Sequence, residues 1–101
     1  MELAKVIGTV VATQKDSSLL GKKLLLVQPV TPDLAPQGSA RVMVETAGAG
    51  TGELVLFVMG AAARHAVQQQ DAAIDGAVVG IVDSLVVDGN WGRPKEIEGS
   101  C

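Results

Sequence analysis

The hydrophobic and polar positions of this chain fall into apolar stretches of strand length, separated by polar, glycine-rich or proline-rich breaks. From Leu3 to Thr13 (LAKVIGTVVAT), Ala4, Val6, Gly8, Val10 and Ala12 alternate with Leu3, Lys5, Ile7, Thr9, Val11 and Thr13. The first set is small or apolar throughout, which predicts one long strand lining the inside of a narrow barrel. Gly8 in its middle predicts a bend or a close approach. The polar run Gln14 to Lys23 contains Gly21 and precedes a second strand, Leu24 to Val30. Four apolar residues in succession, Leu24 to Val27, predict that both faces of this strand are covered. Pro29, Pro32, Asp33, Pro36, Gln37 and Gly38 then predict a surface loop whose prolines are excluded from a central strand.

Alternation resumes from Ala40 to Thr46, with Ala40, Val42 and Val44 opposite Arg41, Met43 and Glu45. A glycine-rich turn and the apolar run Leu54 to Met59 follow, and together these predict a hairpin with a longer-than-minimal loop. Ala61 to Gln70 (AAARHAVQQQ) is alanine-rich and predicts a helix of about 15 Å. So short a helix is marginal alone, so it must dock on the sheet. The last strand is predicted over Asp75 to Val87, apolar on both faces up to Val82. Asp83 interrupts it, an acid expected at a barrel rim facing water or on a partner's backbone or a cation. One domain is expected over residues 1–88, followed by a polar, loose tail over 89–101 in which Trp91 is a candidate for pinning to a neighbouring surface.

The stretch from Glu45 to Arg64, ETAGAGTGELVLFVMGAAAR, joins the glycine run to the most apolar strand and to the helix. Gly48, Gly50 and Gly52 resemble a phosphate-cradling loop in spacing only. Such loops open a helix whose amides face the anion, whereas strand formers follow here and no Lys-Ser/Thr pair is present. Two readings remain from the residues: a turn in which glycines supply positive φ, or a loop whose bare backbone lets copies crowd a symmetry axis.

Composition narrows the function. The net charge of −3 and scattered basic residues argue against nucleic acid as a partner. No apolar run is long enough for a membrane helix and the N-terminal residues lack the layout of a secretion signal, so a soluble, cytoplasmic protein is expected, with no membrane partner. Phe57 and Trp91 are the only aromatics, so the core is expected to be built of aliphatic residues, alanine and glycine. Cys101 stands alone, which rules out an internal disulfide. His65 beside Arg64 has no Ser, Cys or paired carboxylate placed to work with it, and a single histidine with a terminal cysteine lacks metal-site spacing. Neither an enzyme, a metal nor a cofactor is expected. The stretches Leu24 to Val27, Leu54 to Met59 and Ala77 to Val82 are apolar on both faces, yet one short helix is available to cover them. The surplus predicts a symmetric homo-oligomer.

Several blocks resemble a known family. They are Ala4 to Thr13, Gly21 with Lys23 to Pro29, Gly48 to Glu53, Gly60 to Arg64, and Ala77 to Asp83, in that order. The resemblance is to the small pentameric vertex proteins of bacterial microcompartment shells, those of carboxysomes and of ethanolamine- and propanediol-utilising compartments among them. It implies a five-stranded OB-like β-barrel with one short helix, assembled as a cyclic homopentamer that caps the corners of a shell tiled by hexameric shell proteins. Through the resemblance, Thr46, Ala47, Gly48, Ala49, Gly50, Thr51 and Gly52 are expected nearest the five-fold axis, where a narrow pore runs. Gly60, Ala63 and Arg64 are expected at the subunit interface or rim. The chain departs from the family at Ala47, usually a larger aliphatic residue, at Ala61 and Ala62, often serines, and at Gly76. Loss of the hydroxyls leaves the helix start without a side-chain cap. The other readings are an OB-like single-stranded nucleic-acid binder, which needs aromatic platforms and a basic groove, and a ring that binds a small ligand through the loop amides.

Overall fold

The computed structural model describes residues 1–12, 21–68 and 74–87. Its elements are β1 (Glu2–Val10), β2 (Leu24–Pro29), β3 (Arg41–Glu45), β4 (Leu54–Met59), α1 (Gly60–Ala66) and β5 (Gly76–Ile81). They form a closed barrel in the order β1-β2-β3-β5-β4. The first three strands form an antiparallel meander. The chain then passes to the far side of β1, where β4 pairs antiparallel with it. After α1, β5 enters between β3 and β4, parallel to the former and antiparallel to the latter. The five strands and the helix expected from the sequence are all present, in the OB-like arrangement.

The hairpin expected between the third and fourth strands is not. β3 and β4 are not neighbours, because β5 stands between them. The glycine segment is therefore a crossing over the barrel mouth. Its far end continues the pairing of β4 with β1, since the Val6 amide donates to the Glu53 carbonyl at 2.9 Å and the Gly52 amide to the Val6 carbonyl at 2.8 Å.

Alternation along β1 holds only in part. Ala4 and Val6 are fully buried in the barrel interior, as expected. A bulge between Val6 and Gly8 then shifts the register, so that Val10 pairs with Leu24 and packs in the cluster beneath the helix. One extra residue reverses which side chains face inward. The strand ends at Val10, and Thr13 lies outside the described residues. In β3 the interior residue is Met43, whereas Val44 packs in the cluster beneath α1 and Val42 is 52% exposed. Pro29 is accommodated as the last residue of β2, where its carbonyl accepts from the Gln37 amide at 2.9 Å.

The interior is filled by Phe57, Leu25, Met43 and smaller aliphatics. Outside the barrel, α1 covers Leu24, Val44 and Ala77 through its fully buried Ala63. Elsewhere Leu34, Val82 and Leu85 pack against Val30 and Leu54. These covers account for much of the second apolar face that the sequence displays. What stays bare includes Ile7, Val42, Met59 and Ile81.

The helix is shorter than expected. The Val67 amide still reaches the Ala63 carbonyl, but Gln68 has φ of 60°, a left-handed stop, and residues 69–70 lie outside the described set. Its N-cap is Met59, which makes no side-chain cap hydrogen bond; Ala61 and Ala62 lie one and two residues inside the helix, so the hydroxyls missing there are not at the cap position. The last strand stops at Ile81, short of Val87, and Asp83 is exposed just beyond it. The tail 89–101, with Trp91 and Cys101, lies outside the described residues.

Gly76, singled out above as a departure, has a packing reason. A Cβ there would lie 3.0 Å from Met59 Sδ and 3.1 Å from both Cε and Cγ of Met43. Met43 is buried and its Cγ cannot swing away as a chain terminus could. Gly76→Val is therefore expected to destabilise the barrel by about 1–3 kcal/mol. Thermal unfolding checks this: the midpoint should fall by several degrees, and an unchanged midpoint would show that the methionines repack freely.

Candidate functional site

The crossing segment is held by its own side chains. It starts on β5, where the Thr46 hydroxyl and amide donate to the Val78 carbonyl at 2.7 and 3.1 Å. Glu45 turns its carboxylate onto the next amides: Oε1 accepts from Ala47 N–H and Oε2 from Gly48 N–H, both at 2.6 Å. At the other end Glu53 Oε1 accepts from Gly50 N–H at 2.6 Å. Gly48 and Gly52 have φ of 84° and 92°, so glycine is needed there for the backbone itself. Between the two carboxylates Ala49 dips into the barrel interior and is fully buried. The loop is thus bound to β5, to β1 and to the core at once.

This geometry decides between the uses considered for the loop. The amides of residues 47, 48, 50 and 52 all have internal acceptors, which takes four donors of the loop away from an anion. Phe57 is fully buried and offers no platform for base stacking, which removes one of only two aromatics from an OB-like nucleic-acid binder. No group of three or more metal-ligating side chains occurs among the described residues. What the loop presents outward is shape: Thr46, Gly48 and Thr51 are exposed. A Cβ at Gly48 would meet nothing within 4 Å, and one at Gly50 only Glu53 Oε1 at 3.7 Å.

The structure joins Thr46 to Gly52 into one unit but places the other expected residues apart from it. The Gly60 amide donates to the Asp75 carbonyl at 2.7 Å, with Gly60 at φ of 61°. Thr46 and Gly60 are therefore anchored on the same stretch of chain, three residues or about 10 Å apart along it. Ala63 faces the chain's own core and is fully buried there. Arg64 is half-buried and His65 exposed, both in the last helical turn. Glu45 and Glu53 were not among the residues the sequence singled out. The available signal was an acid on each side of a glycine run, a pattern that satisfies backbone donors locally.

The family model described as ethanolamine utilisation protein EutN/carboxysome matches residues 1–83. The chain belongs to this family. The match spans all five strands, the helix and the crossing loop. A microcompartment shell vertex protein of Rhodospirillum rubrum, GrpN, is 52% identical over 85 residues, covering 84% of this chain and 96% of GrpN. PduN, a microcompartment shell vertex protein of Salmonella typhimurium, is 53% identical over 89 residues, 84% of this chain and 98% of that one. Among solved structures, the GrpN pentameric shell protein superposes with a TM-score of 0.78 at 50% identity, covering 86% of this chain and 99% of that one. CcmL of Nostoc sp. PCC 7120 superposes with a TM-score of 0.83 at 41% identity, covering 93% and 99%. The family's members among these relatives are structural shell proteins of microcompartments and carboxysomes.

Removing the loop's internal acceptor is a direct test of its stiffness. Glu45→Ala is expected to lower stability by about 1 kcal/mol, the loss being limited because the freed amides can bind water. Amide hydrogen exchange should show protection at Ala47 and Gly48 falling about tenfold or more while Gly50, held by Glu53, keeps its own.

Proposed function

We infer that this chain is a structural vertex protein: copies of it close into a five-membered ring that caps the corners of a polyhedral microcompartment shell in the cytoplasm. The observation that carries this reading is the match of the whole barrel to a family in which a relative of half-identical sequence is a pentameric shell protein. The function is then geometric. A sheet of six-fold tiles lies flat, and a five-fold unit among hexameric shell proteins introduces the curvature a closed shell needs. Chemistry at the ring is secondary, in keeping with a loop whose polar groups are already occupied.

Within the ring, Thr46 to Gly52 is the segment closest to the axis, bordering a narrow pore. Two features support that placement. The loop is stiff, so five copies can converge without a further ordering cost. Its outward backbone is also bare at Gly48 and Gly50, which allows close approach. Gly60 and Arg64 belong to the rim facing a neighbour, seated on the buried Ala63. Bare apolar side chains such as Ile7 and Val42 are the surface remaining for contacts between copies.

Native mass spectrometry of the purified protein should give a particle near five times the 10.3 kDa chain. A monomer at high concentration would overturn the reading. The axial placement has its own test in Gly50→Val. Gly50 has no positive φ and its Cβ site meets only one atom at van der Waals distance, so the single chain should fold as before. Ring population should nevertheless drop about tenfold or more by native mass spectrometry, with circular dichroism unchanged. Intact rings in this variant would place the loop away from the axis.

A further inference from the structure

β3 and β5 pair only at Val44↔Ala77 and Glu45↔Val78. Upstream of that point the two strands part, and from Arg41 to Met43 β3 pairs with β2 on one side and with no strand on the other among the described residues. The parting opens a notch of about 240 Å³ bordered by Leu24, Val42, Met43, Ile74 and Asp75. That is below the roughly 300–1,000 Å³ usual for a small-molecule site, but it suits a single large side chain. Leu24, Val42, Val44 and Ile74 give it an apolar lining, and the Asp75 at its lip is exposed. Val42, 52% exposed, carries the apolar surface outward onto β3.

The chain supplies a matching segment. The family match ends at residue 83, and 88–101 carries Trp91, the protein's single tryptophan, within a polar sequence, DGNWGRPKEIEGSC. Trp91 and Arg93 are two apart, so in an extended segment they share one face, an apolar ring beside a cation. Pro94 has no amide to donate, which limits strand pairing to the residues before it. We propose that residues 88–93 of one copy add to the free edge of β3 on a neighbouring copy, with Trp91 seated in the notch and Arg93 facing Asp75. Pairing of backbone to an open edge, with a pocket taking alternate side chains, is a known mode of peptide capture.

The neighbour is favoured over the chain's own notch by reach. Leu85 packs against Val30 and Leu54, at the end of the barrel where β2 finishes and β4 starts. The notch lies at the opposite end, by Leu24 and Gly76, about 17 Å away along β4. Six residues from Leu85 to Trp91 span at most about 20 Å fully stretched, which leaves no slack for a path around the barrel surface. A tail crossing to an adjacent copy also ties that copy in, which rests on the ring inferred above.

Trp91 is the only tryptophan in a chain without tyrosine, so its fluorescence reports the tail alone. In the full-length ring its emission should be blue-shifted and resist quenching by acrylamide. Val42→Asp, a change at an exposed position, should shift it to the solvent-exposed emission and raise the quenching constant severalfold. Mixing Val42→Asp copies, which keep the tryptophan, with Trp91→Phe copies, which keep the notch, should restore the protected signal in mixed rings. Asp75→Lys serves as a second notch variant if Val42→Asp fails to assemble, and it too should expose Trp91. A solvent-exposed Trp91 in the wild-type ring, or protection unchanged in both notch variants, would overturn the proposal. Notch variants that expose Trp91 without rescue on mixing would overturn the neighbour's part in it. Native mass spectrometry on the same samples reads the ring independently, so a pentamer with an exposed Trp91 sinks the tail contact and leaves the ring standing.

Discussion

The barrel depends on a single late insertion, the entry of β5 between β3 and β4. Without it the meander and β4 form an open four-stranded sheet with two unpaired edges, and every feature of functional interest hangs from this strand and the residue before it. The crossing loop starts on the Val78 carbonyl, the helix starts on the Asp75 carbonyl, and Gly76 leaves room for the side chains of Met43 and Met59. Because β5 is the last of the described strands and parallel to β3, its contacts are of high sequence separation. Such pairings are expected to form slowly and to close the structure cooperatively.

Two-sided apolar strands have a double origin in this fold. Part of the second face is covered within the chain, by α1 through Ala63 and by the packing of Leu34 and Leu85 around Val30 and Leu54. The rest, including Ile7 and Val42, stays at the surface. The apolar surface left over for assembly is therefore smaller than strand periodicity alone indicates, and more local in position. A row across neighbouring strands remains, since Val42 pairs with Leu26 and Leu26 with Gly8, beside the bulged Ile7. That row is apolar surface whose removal from water needs no rearrangement of the core.

Element type was legible in the sequence because it depends on local pattern. The alternation in β1 and β3, the continuous apolar run of β4 and the alanine-rich helix each declare themselves over a few residues. Neighbour relations were not legible in the same way. The glycine run between two strands reads as a hairpin, and only the competing pairing of β4 with β1, extended by Val6 onto Glu53, sends it across the barrel instead. The bulge after Val6 is equally silent, since a single inserted residue has no composition of its own, yet it moves Val10 from the barrel interior to the cluster under the helix. Gly76 was visible as unusual but not explicable, because the methionines that require it are distant in sequence. At the candidate site the loop was found and its clasps were not: Glu45 and Glu53 look dispersed until the backbone brings the amides to them.

Those clasps also set what the loop can do. A glycine-rich segment left to itself is flexible, and its amides attract anions. Here two carboxylates occupy amides of the loop, a threonine bonds β5 and a buried alanine fixes its middle. The loop is stiff because its polar groups are satisfied, and for the same reason it has little left with which to bind. Stiffness without reactivity suits a part whose task is to meet copies of itself at a fixed angle, since a flexible loop would lose on assembly the entropy this one lost on folding. In the ring inferred above, selectivity at this loop would rest on width and on the exposed Thr46 and Thr51, since the amides of residues 47, 48, 50 and 52 already have acceptors.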